Sequence, residues 1–305
     1  MADHLRLRAP MAERGGAATA SELEAAAGRR GLAAAVRDGV IVRVAHRYVT
    51  PSLVEHLQAA FALGGVVSHQ SAVARYGWSA KHQPKKPSLT VRAGRHLSWI
   101  QQRGVAVSWR DLDPAEVIDG VTGPQRTVVD CALSLHLDEA LAIADSALRC
   151  GDIDPGELRR ATVSGRNCRS ARRVLQLADS RAANPLESVL RAIAVDVVAL
   201  HLEPQGGFRG DEWFARVDLA DQGLGLVLKA EGFEHHGTRK GFDRDCERYV
   251  NLLCAGVIVL RFTWTQVMYR PDWVRERIRE MVQQRTNRED SMSARSVSSP
   301  GYRRT

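Results

Sequence analysis

The chain has 305 residues, of which 44% are hydrophobic, 26% charged and 6% aromatic; that balance supports two globular domains and excludes a disordered chain. The net charge of +8 favours polyanions as partners, nucleic acid first, although a GC-rich coding sequence also enriches arginine. No apolar run approaches the roughly 18 residues of a bilayer span, and the first residues lack the apolar stretch of a secretory signal. Cys131, Cys150, Cys168, Cys246 and Cys254 form no C-x-x-C pair, which reads as reduced thiols and predicts a cytoplasmic protein without a membrane partner.

The first readable module covers residues 14–51. Thr19 with Glu22 three residues later is a capping-box pattern, so a helix should start near Ala20. Gly28 should stop it, and "GLAAAVRDG" reads as a second short helix ended by Gly39. The run "VIVRVAHRYV" alternates apolar and basic residues, as a strand or hairpin does. Helix, turn, helix and hairpin is a winged helix-turn-helix order. It would offer Arg29, Arg30 and Arg37 from the helix and Arg43, His46 and Arg47 from the wing to phosphates and a groove edge of double-stranded DNA. A small helix–hairpin with a solvated arginine face fits the same pattern.

Residues 52–161 read as a small α+β domain. "VEHLQAAFALGG" is a helix. A second follows Ser68 as N-cap and stops at Gly77. "PSLTVRAG" and "GVAVSWRDL" are strands, and two helices run between Pro124 and Gly151. His69, Arg75 and Arg126 read as ties for loops and caps in this domain, with a functional role as the alternative. Residues 162–183 read as a basic linker. Six arginines between Arg159 and Arg173 would attract a polyanion or simply solvate a helix face.

Residues 184–284 open with an apolar-periodic helix carrying Glu187 in its first turn. "EWFARVDLA" alternates as a strand ending at Asp218, and "LGLVLKAEG" is a buried strand that turns polar at its end. Next come a helix with Arg244, Asp245 and Arg248, the buried strand "VIVLRFTW", and a final helix after Pro271. This order predicts a mixed sheet flanked by helices. Residues 285–305 are polar and read as a disordered tail.

The chemistry concentrates in "LVLKAEGFEHHG". Lys229 and Glu231 are two apart on a strand and share a sheet face. Hairpin pairing would bring Asp218 beside them. Asp218 and Glu231 at adjacent strand ends form a candidate Mg²⁺ site, at which the ion would polarise a phosphodiester and activate water.

From Asn184 to Met281 the chain resembles the restriction-endonuclease-like domains related to very-short-patch-repair endonucleases, which have a PD-(D/E)XK fold. The resemblance rests on Asp218, on Lys229, Glu231 and Gly232 with His235 or His236 after them, and on Asp245, Arg248, Arg261 and Phe262. It implies catalytic positions at Asp218, Glu231, Lys229, His235, Glu187 and Asp245, with Arg248 on nucleic acid. The front portion is similar to abortive-infection antitoxins of the AbiEi type, through "SELEAAAGRRGLAAAVRDGVIVRVAHRYVTP", "GGVVSHQSAVARYGW" and "RTVVDCA". That similarity implies a winged helix that binds DNA to autoregulate a toxin–antitoxin operon, with a cognate toxin as partner.

One position departs from the endonuclease pattern. Lys229 stands where the related domains carry Glu, and the order is Lys-x-acid, not acid-x-Lys. Three functions remain open on these residues. The first is a DNA-binding protein of antitoxin or transcriptional-regulator type with a degraded nuclease-like domain. The second is an active Mg²⁺-dependent endonuclease that tolerates the swap. The third is an interaction module that contacts a toxin through its front domain.

Overall fold

The computed structural model describes Leu7 and residues 17–44, 47–49, 51–231 and 239–297. The protein is a mixed α/β chain whose contacts divide it into two compact units, Met1–Pro185 and Leu186–Thr305. No helix among the described residues is long and apolar enough to cross a membrane.

The first unit begins with β1 (Ala17–Thr19), α1 (Ala20–Arg37), β2 (Val42–Val44) and β3 (Arg47–Val49). Thr19 caps α1 in a reciprocal box with Glu22, which satisfies two of the backbone N–H groups that a helix start leaves open. Gly28 interrupts α1 with φ +70° and ψ 168°. Only glycine holds that region without strain, so α1 is two helical segments meeting at an angle. The three strands form an antiparallel sheet in the order β1-β3-β2. Leu23, Leu32, Ala35 and Ile41 form the core beneath it.

The remainder of this unit is a five-stranded sheet with helices. Its elements are α2 (Pro51–Ala62), β4 (Val66–Val67), α3 (His69–Tyr76), β5 (Ser88–Val91), α4 (Trp99–Gln102), β6 (Ala106–Trp109), β7 (Val117–Ile118) and β8 (Val121–Thr122). α5 (Pro124–Ser134), α6 (Leu137–Arg149), α7 (Pro155–Arg160) and α8 (Cys168–Leu177) follow. The sheet order is β6-β5-β4-β8-β7. α6 is buried along Ala140–Leu148 and forms the centre of the helical layer.

The polar residues singled out in this domain are tied internally. Arg126 donates to Asp130 at 2.6 Å within the core. Arg75 reaches Asp119 at 3.4 Å, and the His69 ring meets the Ser68 hydroxyl at 2.8 Å. Burial, the largest influence, holds the His69 imidazole below its ordinary pKa; Asp130 opposes this, and Arg126 and Arg110 reinforce it.

Two stretches differ from the sequence reading. Residues 162–183, read as a linker, contain α8, whose Ala171, Val174 and Leu175 are buried. α8 packs on α5 and α6, because its apolar residues recur at helical spacing while its arginines take the opposite face. The last helix, expected to end by residue 284, extends to Val297.

The second unit runs α9 (Pro185–Ala194), β9 (Glu203–Pro204), β10 (Gly207–Arg209), β11 (Phe214–Arg216), β12 (Leu219–Asp221) and β13 (Leu226–Glu231). It continues with α10 (Arg239–Cys254), β14 (Ile258–Thr263), α11 (Trp264–Tyr269) and α12 (Pro271–Val297). The four-stranded sheet has the order β14-β13-β12-β9, with β13 parallel to β14 and antiparallel to β12. β10 and β11 form a separate antiparallel hairpin.

Alternation along β13 distributes its side chains between two cores. Leu226 and Leu228 pack with Leu190, Ile193, Phe262, Val274 and Ile278 on one face. Val227 packs with Ala220, Leu252 and Val257 on the other. The sheet is thus covered on both faces, and the residues that follow Val227 on its own face are Lys229 and Glu231.

Candidate functional site

The site forms where the second face of β13 changes from apolar to charged. Lys229 pairs in register with Arg261, and Glu231 with Thr263. Lys229, Glu231 and Arg261 therefore leave the same face, and Arg261 donates to Glu231 at 2.9 Å. α10 lies over this face. Its Asp245, Arg248, Tyr249 and Leu252 recur at i, i+3, i+4 and i+7, one stripe of a helix. Leu252 is fully buried and anchors the stripe. Tyr249 extends under Arg261, whose guanidinium sits 4.9 Å from the ring centre. The Tyr249 hydroxyl is buried and has no hydrogen-bond partner among the described residues.

Asp218 arrives from a different element. The sequence reading has one strand ending at Asp218; the chain instead bends there, between β11 of the hairpin and β12 of the sheet. The backbone holds this bend in place: the Gln205 N–H donates to the Asp218 carbonyl at 2.8 Å. The Gln205 side chain donates to the buried Glu187 at 3.0 Å. Glu187 thereby braces the segment that carries Asp218, from behind the site.

Lys229 Nζ lies 4.0 Å from Asp218 Oδ2, and the two side chains are only 15% and 20% exposed. Burial raises the Asp218 pKa, opposed by Lys229 and a hydrogen bond from the Ala230 backbone; Glu231 raises it further and Arg248 lowers it. Burial pulls the Lys229 ammonium down. The attraction of Asp218, Tyr249, Glu231 and Asp245 outweighs it, so the pKa lies above its ordinary value and Lys229 is protonated. Arg248 pairs with Asp245 at 3.1 Å.

The carboxylates of Asp218, Glu231 and Asp245 thus face the cations of Lys229, Arg261 and Arg248, and the local charge balances. A divalent ion is held by surplus negative charge. Among the described residues, no group of three or more His, Cys, Asp or Glu side chains is arranged to hold a metal ion. Asp218 and Glu231 remain the pair that would contribute to one, and each already answers to a cation. Gly232, His235 and His236 lie outside the described residues.

In the first unit, Arg29, Arg30, Arg37 and Arg43 are exposed. Arg29 approaches Glu24 at 3.5 Å and Arg37 pairs with Asp38. Arg47 begins β3, its side chain outside the described residues, as is the whole of His46. These positions belong to one helix–hairpin element.

Sequence reasoning passed over Tyr249, which sits four residues after Asp245 and so shares its helix face. It also passed over Trp213 and Phe214. Together with Arg244, Arg248 and Asn251 they line a groove of about 330 Å³ between the hairpin and α10.

No protein-family model matches the chain. It is 31% identical over 163 residues to the uncharacterized proteins Rv2248 and MT2308 of Mycobacterium tuberculosis, strains H37Rv and CDC 1551. The match covers 52% of this chain and 59% of each relative, so the chain spans less than two thirds of the length of the curated relatives it matches. Among solved structures it is similar to the crystal structure of the RV2827C protein from Mycobacterium tuberculosis, at 17% identity and a TM-score of 0.26. That similarity covers 63% of this chain and 75% of the other.

Proposed function

We propose that this chain is a DNA-binding protein of antitoxin or transcriptional-regulator type. In this reading its second unit keeps a restriction-endonuclease-like frame in which a lysine ammonium takes the place of a metal ion. One observation carries the non-hydrolytic part: Lys229 Nζ lies 4.0 Å from Asp218 Oδ2 in a largely buried setting. A protonated ammonium there satisfies the carboxylate that a catalytic Mg²⁺ would need. The pairing of Arg261 with Glu231 does the same for the second acid.

The DNA-binding part is supported by the element order of the first unit. Two helical segments meeting at Gly28 are followed by the β2–β3 hairpin, an arrangement that suits a winged helix-turn-helix with Arg29, Arg30 and Arg37 beside the wing residues Arg43 and Arg47. Phosphate contacts of this kind release counterions, so affinity falls with salt. A toxin partner belongs to this reading through the antitoxin resemblance.

The second reading, an active Mg²⁺-dependent endonuclease, is favoured by one feature: Asp218, Lys229 and Glu231 interact in one charged cluster. Two assays decide between them. Duplex DNA should shift in a gel with a steep salt dependence, and Arg30→Ala or Arg43→Ala should each reduce the slope of log K against log salt by about 0.9. Supercoiled plasmid with Mg²⁺ or Mn²⁺ should stay intact. Nicking that Asp218→Ala abolishes would establish the endonuclease, and a flat salt dependence would discard the phosphate-contact surface.

A further inference from the structure

We infer that the groove between the β10–β11 hairpin and α10 seats one nucleotide of single-stranded nucleic acid, with the base stacked on Phe214 and the phosphate on Arg244. This deepens the nucleic-acid reading but does not depend on the winged-helix surface of the first unit.

The aromatic side of the groove is built by two glycines. A Cβ placed on Gly207 would fall 2.6 Å from the Phe214 ring, and one on Gly210 would fall 2.3 Å from the Trp213 indole. Any side chain at either position would displace the ring beside it. The two rings therefore lie against bare backbone, which fixes them before any ligand arrives. Phe214 nevertheless remains 61% exposed. A large apolar ring that is held on one side and open on the other is the form of a base-stacking platform.

The polar lining suits the rest of a nucleotide. Arg244 and Arg248 face the groove from α10, one turn apart, and Asn251 follows three residues later. The arginines suit a phosphate, and the amide offers both a donor and an acceptor to a base edge. Arg209 holds its guanidinium 5.6 Å from the Phe214 ring centre, adding positive charge at the rim. Glu247 also lines the groove and disfavours a second anion next to the first. At about 330 Å³ the space falls at the small end of ligand pockets and suits one nucleotide unit. Single strands are selected because a paired base already has its faces covered by its neighbours, whereas an unstacked one offers a free face. Arg248 also acts on Asp218, so a strand seated here passes beside the charged cluster.

The test is fluorescence anisotropy of an end-labelled oligothymidylate with the full chain, repeated over a salt series. Phe214→Ala and Phe214→Leu should each weaken binding at least about fivefold, because stacking on an aromatic face is lost in both; Phe214→Tyr should stay near wild type. Arg244→Ala should reduce the salt slope by about 0.7, the single-strand value for one phosphate. The same losses should appear in a chain whose Arg29, Arg30 and Arg43 are replaced by alanine, which separates this groove from the first unit. Circular dichroism checks that each variant is folded. Wild-type affinity in Phe214→Leu would overturn the inference, as would a salt slope unchanged by Arg244→Ala.

Discussion

Replacing Lys229 should create a divalent-cation site where the protein now has an ion pair. At the observed 4.0 Å separation, two unit charges attract by about 4 kcal/mol at an effective dielectric of 20. A divalent ion taken up by Asp218 would lie about 5 Å from the ammonium and be repelled by about 6 kcal/mol on the same scale. Rearrangement of Lys229 and residual solvent reduce that figure. If only a third of it survives, about 2 kcal/mol, removing the charge still improves Kd roughly thirtyfold. Lys229→Ala should therefore bind Mn²⁺ measurably where the wild type does not, and Lys229→Glu should bind it more tightly because it adds a carboxylate on the same strand face. Isothermal titration calorimetry reads the affinity, and a Mn²⁺-dependent rise in melting temperature confirms that the folded state is the one that binds. If both folded variants bind Mn²⁺ no better than the wild type, Lys229 is not what closes the site. If the wild type itself binds tightly and Asp218→Ala abolishes binding, the ion pair does not exclude the metal.

Three further predictions concern the frame around the site. Burial raises the Asp218 pKa, so its stabilising contribution is present below the ordinary value near 3.8 and is lost as pH rises through the folded value. Urea melts compared between wild type and Asp218→Asn should show the difference growing in the variant's favour across that window; a pH-independent difference would contradict the raised pKa. Gly28→Ala should destabilise the first unit by about 1–3 kcal/mol from backbone strain alone, since a Cβ there meets nothing within 4 Å; an unchanged melting curve would deny the break in α1. Leu228→Ala removes a fully buried side chain from the larger core of the second unit and should cost about 2–5 kcal/mol in denaturant melts. A loss well under 1 kcal/mol would mean that this sheet face is not packed as described.

What the sequence made legible followed from repeats that backbone geometry imposes. Thr19 and Glu22 stand three apart because a capping box needs that spacing, and Lys229 and Glu231 share a face because strands alternate. Gly28 and Gly77 both punctuate helices, and both have positive φ. The failures were local and had local causes. Asp119 and Gly120 join β7 and β8 in a two-residue turn with φ of 51° and 76°. Asp-Gly is the strongest short signal for such a hairpin, but strands of two residues leave no alternation to flag it. The segment around Asp218 read as one strand because Phe214, Ala215, Arg216 and Val217 alternate smoothly into it. Nothing in that pattern marks the point where pairing passes from β10 to β13. α8 was hidden by its arginines, whose number obscured the buried Ala171, Val174 and Leu175 between them.

The electrostatic state of the site was the least legible part, because charge balance depends on neighbours far apart in the chain. Asp218, Lys229 and Glu231 lie within fourteen residues of sequence and alone suggest two acids disputed by one lysine. The fold adds Arg261 from β14 and Arg248 from α10, one beside Glu231 and one acting on Asp218. Those two arginines convert a disputed acidic pair into a balanced cluster, and neither addition can be read from the strand that bears Lys229 and Glu231. The frame that would position a metal and the charges that oppose it are therefore specified by different residues. Substituting Lys229 alone alters the charge while leaving Leu226, Val227 and Leu228 to hold β13 in place, which is why that single change tests the site without rebuilding the sheet.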